Sequence, residues 1–157
     1  MENMPFVYGL LAMLAIALLH AAYTDIVRRE IEDWLNAAIA LGAPLFWWAC
    51  GLSLWPDVAM QLALAAGVFI FFALMFALGA MGGGDVKLLG AIALWFPWGV
   101  MAKVAIAMSL IGAVLTVIIL VEHKMHRKLG QPEVPYGVAI AIAALWPVGE
   151  RFFNHFA

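Results

Sequence analysis

The sequence is poor in charge. Of 157 residues, eight are Lys or Arg and ten are Asp or Glu, 11% in all, where a soluble domain carries about a quarter. With 67% hydrophobic residues and a mean hydropathy of +1.03, that scarcity excludes a disordered chain and an ordinary water-soluble domain. Cysteine is nearly missing too. Cys50 is the single one, so neither an intramolecular disulfide nor a CxxC zinc pair can form, and a secreted disulfide scaffold is excluded. Basic charge is also short. The formal net charge of −2 leaves no basic stripe to neutralise phosphates and argues against a nucleic-acid partner. Residues 1–5 hold Glu2 and no Lys or Arg, unlike the basic start of a cleaved signal peptide, so the first apolar segment is expected to remain as a membrane helix.

What the sequence has in abundance is apolar runs. Residues 3–24, 34–56, 58–84, 88–102, 104–121 and 134–149 contain no Asp, Glu, Lys or Arg. A spanning helix needs about 20 apolar residues. Four of these runs meet or approach that length, and the fourth and sixth are shorter. The reading is an all-α integral membrane protein in one domain, 1–157, a bundle of six helices. They fall at roughly 5–23, 35–53, 58–80, 86–97, 100–121 and 135–152, with tight turns at 53–57 and 97–99. The alternation of a membrane barrel is missing.

Basic residues orient the bundle. With the N-terminus outside, Arg28, Arg29, Lys87, Lys124, Arg127 and Lys128 are cytoplasmic, against Lys103 and Arg151 outside. Trp47, Trp48, Trp55, Trp95, Trp98 and Trp146 then fall near the outer ends, where indoles favour the interface.

The strongest local signal is Gly82-Gly83-Gly84-Asp85-Val86-Lys87. Glycine costs about 1 kcal/mol in a helix relative to alanine, so three in a row should break helix 3. Freed backbone groups in lipid need protein or water as partners, which suggests a wet pocket. Asp85 then opens a short fourth helix at some depth, where an acid costs about 2.5–3.5 kcal/mol and marks function by default. A charged pair of Asp85 and Lys87 anchoring the topology is the competing reading. Asp25 ends helix 1 on the same face, and its alternative is a solvated juxtamembrane acid. Two carboxylates confined together cannot both ionise easily, and such a pair can serve as base and acid around one water, as in aspartic proteolysis. Any apparent pKa values then belong to the pair. His20, one turn before Asp25, reads as a bundle hydrogen-bonder. His123 and His126 read as part of a basic anchoring loop without enough ligands for a metal. Asp57 reads as the start of helix 3 on the outer side, and the Gly79-to-Gly83 spacing as close helix packing.

These residues resemble a known family. Gly82-x-Gly84-Asp85 with Lys87 looks like the GxGD motif of the type IV prepilin leader peptidases. Asp25-Ile26 with Ile31 looks like that family's first aspartate motif, and Pro135-Tyr136-Gly137 is similar to its Pro-aromatic-Gly segment. The resemblance covers nearly the whole chain. It implies an intramembrane aspartyl endopeptidase of the bacterial inner membrane with its site facing the cytoplasm. Asp25 and Asp85 would be catalytic, supported by Gly82, Gly84, Lys87, Pro135, Tyr136 and Gly137, without metal or cofactor. The partners implied are a prepilin or pseudopilin, cut on the cytoplasmic side of its apolar segment, and the lipid bilayer. The small size looks like the members serving tight-adherence (Flp-type) pili. Larger members carry a cysteine-bearing insert and N-methylate the new amino terminus. The one cysteine here implies peptidase activity without that zinc-binding methyltransferase insert. The family's Ile-Pro-Asn is replaced by Ile31-Glu32-Asp33, which bears on substrate selection, and Asp33 adds a third carboxylate. Lys87 and the helix N-terminus would favour the charged form of Asp85. The rival reading is a proton-coupled transporter or assembly subunit with Asp85 as the relay. The sequence specifies no oligomeric state.

Overall fold

The computed structural model describes residues 4–125 and 134–156, with side chains as far as residue 152. Among these residues six α-helices follow one another: α1 (Met4–Arg28), α2 (Asp33–Ala49), α3 (Ala59–Ala77), α4 (Gly83–Ala93), α5 (Trp98–Met125) and α6 (Tyr136–Phe156). A single π-type turn, Leu54–Val58, leads into α3. Among the described residues there is no strand. Among the described residues three segments are long and apolar enough to cross a membrane: Met4–Arg28, Leu54–Ala77 and Trp98–Met125.

The core lies where α1, α4 and α6 meet. Leu18 on α1, Leu88, Leu89 and Ile92 on α4, and Ile140 and Ala144 on α6 are fully buried. On α1 the buried positions Val7, Leu11, Leu14, Leu18, Ala21 and Asp25 recur every three or four residues, the period of one helix face. Asp25 therefore continues the buried stripe. α6 meets its neighbours through Ala139, Ala141, Ala143 and Ala144, small residues that let helices approach where lipid removes the hydrophobic drive for association. α3 contributes little to the core. Ala65 is its one buried residue, while Phe69, Ile70, Phe71 and Leu74 are exposed. An apolar face of that extent is suited to lipid or an apolar partner.

The helix ends explain where sequence and structure part. α1 continues through Asp25 and stops where Arg29 takes the left-handed conformation (φ 57°), five residues beyond the expected end of 23. α2 covers Asp33–Ala49, two residues earlier at its start and four at its end than expected, because Gly51 (φ 69°) closes it. α3 ends at Ala77. Gly79 (φ 73°) forms its C-terminal cap, with the Gly79 N–H donating to Phe76 O and the Ala80 N–H to Met75 O. A Cβ on Gly79 would meet nothing within 4 Å, so its role is this cap and not the close helix packing its spacing suggested. The three glycines consequently do not break a helix. Gly82 caps α4, and Gly83 and Gly84 form its first turn.

α4 has only 11 residues, and its last carbonyls need partners away from water. Gln61 Nε2 donates to Ala93 O and Phe96 O, both at 2.6 Å, and Trp47 Nε1 donates to Leu94 O at 2.8 Å. Trp95 Nε1 donates to Ile39 O at 2.8 Å. Trp47 and Trp95 are thus buried hydrogen-bonding residues, whereas Trp48, Trp55, Trp98 and Trp146 are exposed. His123 and Lys124 lie in the last turn of α5, while His126, Arg127 and Lys128 fall outside the described residues.

Candidate active site

Asp25 and Asp85 come from the end of α1 and the start of α4, 6% and 9% exposed. Both line one cavity of about 450 Å³. Its walls are the α1–α2 connection (Arg29, Glu30, Ile31, Glu32, Asp33) and the opening of α4 (Gly82, Gly83, Gly84). A second pocket, reaching Val134 and Tyr136, also holds both aspartates. The two carboxylates are near enough to interact electrostatically.

Each carboxylate is held by a helix N-terminus. Asp85 is the third residue of its own helix and faces the Gly82 amide, one of the free N–H groups at that end. Asp25 caps a different helix. The Val138 N–H in the first turn of α6 donates to Asp25 Oδ2 at 3.1 Å, and the Gly137 amide stands beside it. Both sites place a negative group where free N–H groups and the helix dipole favour one.

The glycines create the space for this arrangement. A Cβ on Gly137 would lie 2.8 Å from both Asp25 Oδ2 and Ile31 Cδ1. On Gly84 it would meet the Cβ of Ile31 at 3.3 Å and that residue's backbone at 3.5 Å. On Gly82 it would lie 3.1 Å from Asp85 Oδ2. Ile31 is therefore the wedge between α4 and α6, touching both motifs. Pro135 is buried, and its carbonyl accepts from the Val138 N–H at 3.3 Å. The Tyr136 ring lies over Gly112 of α5, where a Cβ would meet it at 2.9 Å.

Lys87 is paired with the third carboxylate. Its Nζ donates to Asp33 Oδ1 at 2.7 Å, because it lies on the side of α4 facing the start of α2. The same contact occupies Asp33, the third carboxylate. Glu32 is engaged as well. It accepts from Arg28 Nη1 at 3.1 Å and from Trp34 Nε1, and His20 Nε2 stands 3.9 Å from it. The His20 ring also packs against Trp34. Asp57 accepts from the Ser53 N–H and hydroxyl in the turn before α3.

Sequence reasoning missed Ile31 as a wedge, Gly112 and Val138. The α1 stripe ending in Asp25 was a signal for that residue's burial. Gly112 and Val138 left none, since their roles depend on contacts distant in sequence. Among the described residues no three His, Cys, Asp or Glu side chains are grouped to hold a metal.

The fold and site define an apolar helical protein that presents two buried aspartates to one polar cavity. The pattern of the type IV leader peptidase family matches residues 12–117, and the chain belongs to that family. It is 30% identical over 146 residues to a prepilin leader peptidase/N-methyltransferase of Stutzerimonas stutzeri, covering 86% of this chain and 47% of that protein. It is 32% identical over 143 residues to the protein of the same description from Pseudomonas aeruginosa, covering 87% and 44%. Against that of Aeromonas hydrophila it is 30% identical over 149 residues, covering 88% and 50%. The chain thus spans about half the length of these curated relatives. No solved structure matches it.

Proposed function

We propose that this protein is a membrane aspartic endopeptidase that removes the leader peptide of type IV prepilins of the Flp-like class at the cytoplasmic face of the bacterial inner membrane. The observation that carries the proposal is the convergence of Asp25 and Asp85 on one cavity in a chain of this family. In the proposed reaction a water lies between the two carboxylates. The ionised one takes its proton as the water attacks the scissile carbonyl, and the protonated one donates to the carbonyl oxygen, giving a tetrahedral diol. Collapse of the diol transfers a proton to the leaving amine and restores the pair. Gly82 and Gly84 leave room for a substrate backbone to approach, and Pro135, Tyr136 and Gly137 fix the α6 turn that orients Asp25.

The proposed topology has six membrane helices, N-terminus outside, with the cavity opening to the cytoplasm. The basic residues at the cavity end, Arg28, Arg29 and Lys87, support it. The proposal covers the peptidase reaction alone.

Co-expression with a prepilin, followed by mass, tests the reading. The wild type should release a leader-sized fragment, and Asp25→Asn and Asp85→Asn, each inserted normally, should not. Cleavage by both variants at the wild-type rate would remove the aspartates from the chemistry.

A further inference from the structure

A third concavity, of about 580 Å³, runs between α2 and α3 over the face of α4. Its wall is almost wholly apolar and is built from small residues such as Ala37, Ala40, Ala66 and Gly90, which would let a helix backbone approach closely. Asn36 also lines it. This side chain is 5% exposed, and neither its amide nitrogen nor its amide oxygen has a hydrogen-bond partner in the protein. A buried amide without partners forfeits its hydration, and acyl chains cannot restore it. The groove adjoins the catalytic cavity at Asp33. Asp33 lines both, and the Asp33–Lys87 ion pair stands at their junction.

We infer that this groove seats the apolar helical segment of the substrate that follows the cleavage point, with Asn36 hydrogen-bonding a polar group carried on that segment. The inference rests on the peptidase reading. A chain whose cut point lies between Asp25 and Asp85 and whose next residues are apolar has a direct route past Asp33 and Lys87 onto the face of α4. The alanines and glycine set how closely it packs. Asn36 adds a polar requirement that a lipid tail does not meet, so the groove selects a polypeptide over the surrounding bilayer.

Photocrosslinking in membranes tests this. Benzoylphenylalanine is placed at Ala66 in the full-length Asp85→Asn chain, with the same probe at Val114, an exposed residue of α5, as the control. Irradiation with a prepilin should give an enzyme–prepilin adduct from Ala66, mapping to the prepilin's apolar segment, and little from Val114. In parallel, Asn36→Leu in the otherwise wild-type chain should raise KM about tenfold, the effect of losing one hydrogen bond, with kcat within about twofold. Its Tm should be unchanged or higher, because an unpartnered buried amide has been replaced by an apolar group of similar size. A lowered Tm or an unchanged KM would make Asn36 a packing residue and overturn its assigned role. Labelling equal at both positions, or an adduct of twice the enzyme's mass in place of the prepilin adduct, would overturn the groove as the substrate's seat. A wild-type chain that cleaves prepilin without any adduct from Ala66 overturns the groove inference alone. A wild-type chain that cleaves no prepilin overturns the function reading, and this inference with it.

Discussion

The two walls of the cavity are built differently. Asp85 is held by its own helix, three residues from the Gly82 amide it faces. Asp25 is held by α6, through Val138, far along the chain. One carboxylate is positioned by local backbone geometry, the other by the packing of α1 against α6. The comparison teaches that two similar side chains in one proposed reaction depend on different parts of the molecule, so each can be displaced separately.

The largest expected effect comes from removing either carboxylate. Asp25→Asn and Asp85→Asn should each lower kcat/KM for prepilin by about 10²–10⁴-fold, measured by the rate of leader release at matched membrane levels. A difference of several hundred-fold between them would show that the two walls are not equal partners.

Gly137→Ala should act first on the Asp25 wall. The new methyl group would lie 2.8 Å from Asp25 Oδ2 and Ile31 Cδ1. Moving a reacting group by about 1 Å costs about 10²-fold in rate, and the loss should fall on kcat. Gly82→Ala crowds the Asp85 wall less, at 3.1 Å from Oδ2, and a loss of about tenfold is expected because a smaller displacement relieves it. Equal losses in the two variants would contradict the separate support of the two aspartates.

Gly84→Ala acts on both walls through Ile31. Contacts of 3.3–3.5 Å with Ile31 Cβ and backbone would push the α1–α2 connection off α4, costing about 1–3 kcal/mol of stability as overpacking does. A fall in Tm that Ile31→Val, which keeps the contacted Cβ and backbone, fails to restore would confirm the contact. The smallest effect belongs to Lys87→Met. Its ion pair with Asp33 is exposed and worth about 0–1 kcal/mol, so activity should change by less than about fivefold and the pH profile should keep its shape. A large shift of the profile would return Lys87 to direct support of Asp85.

Much of this was legible in the sequence because it rests on composition and on short local patterns. Apolar runs between charges gave the helices in order, since backbone polar groups in lipid must be paired within helices. The glycine run gave Asp85 its place at the opening of a short helix, and the late Pro-Tyr-Gly marked the start of α6. Boundaries were less legible. The end of α3 depended on Gly79 taking a left-handed conformation, and the run of three glycines drew attention away from it.

The sequence by itself determined an apolar helical chain, the order of its helices and the location of its unusual acids, because hydropathy and helix period act through near neighbours. Only the tertiary structure decided what those acids touch. It set Asp25 against the first turn of α6, paired Lys87 with Asp33, placed Ile31 between two motifs and left Asn36 buried without a partner. Those outcomes depend on which helix faces meet and on clearances of a few tenths of an ångström, and spacing along one chain carries no such information.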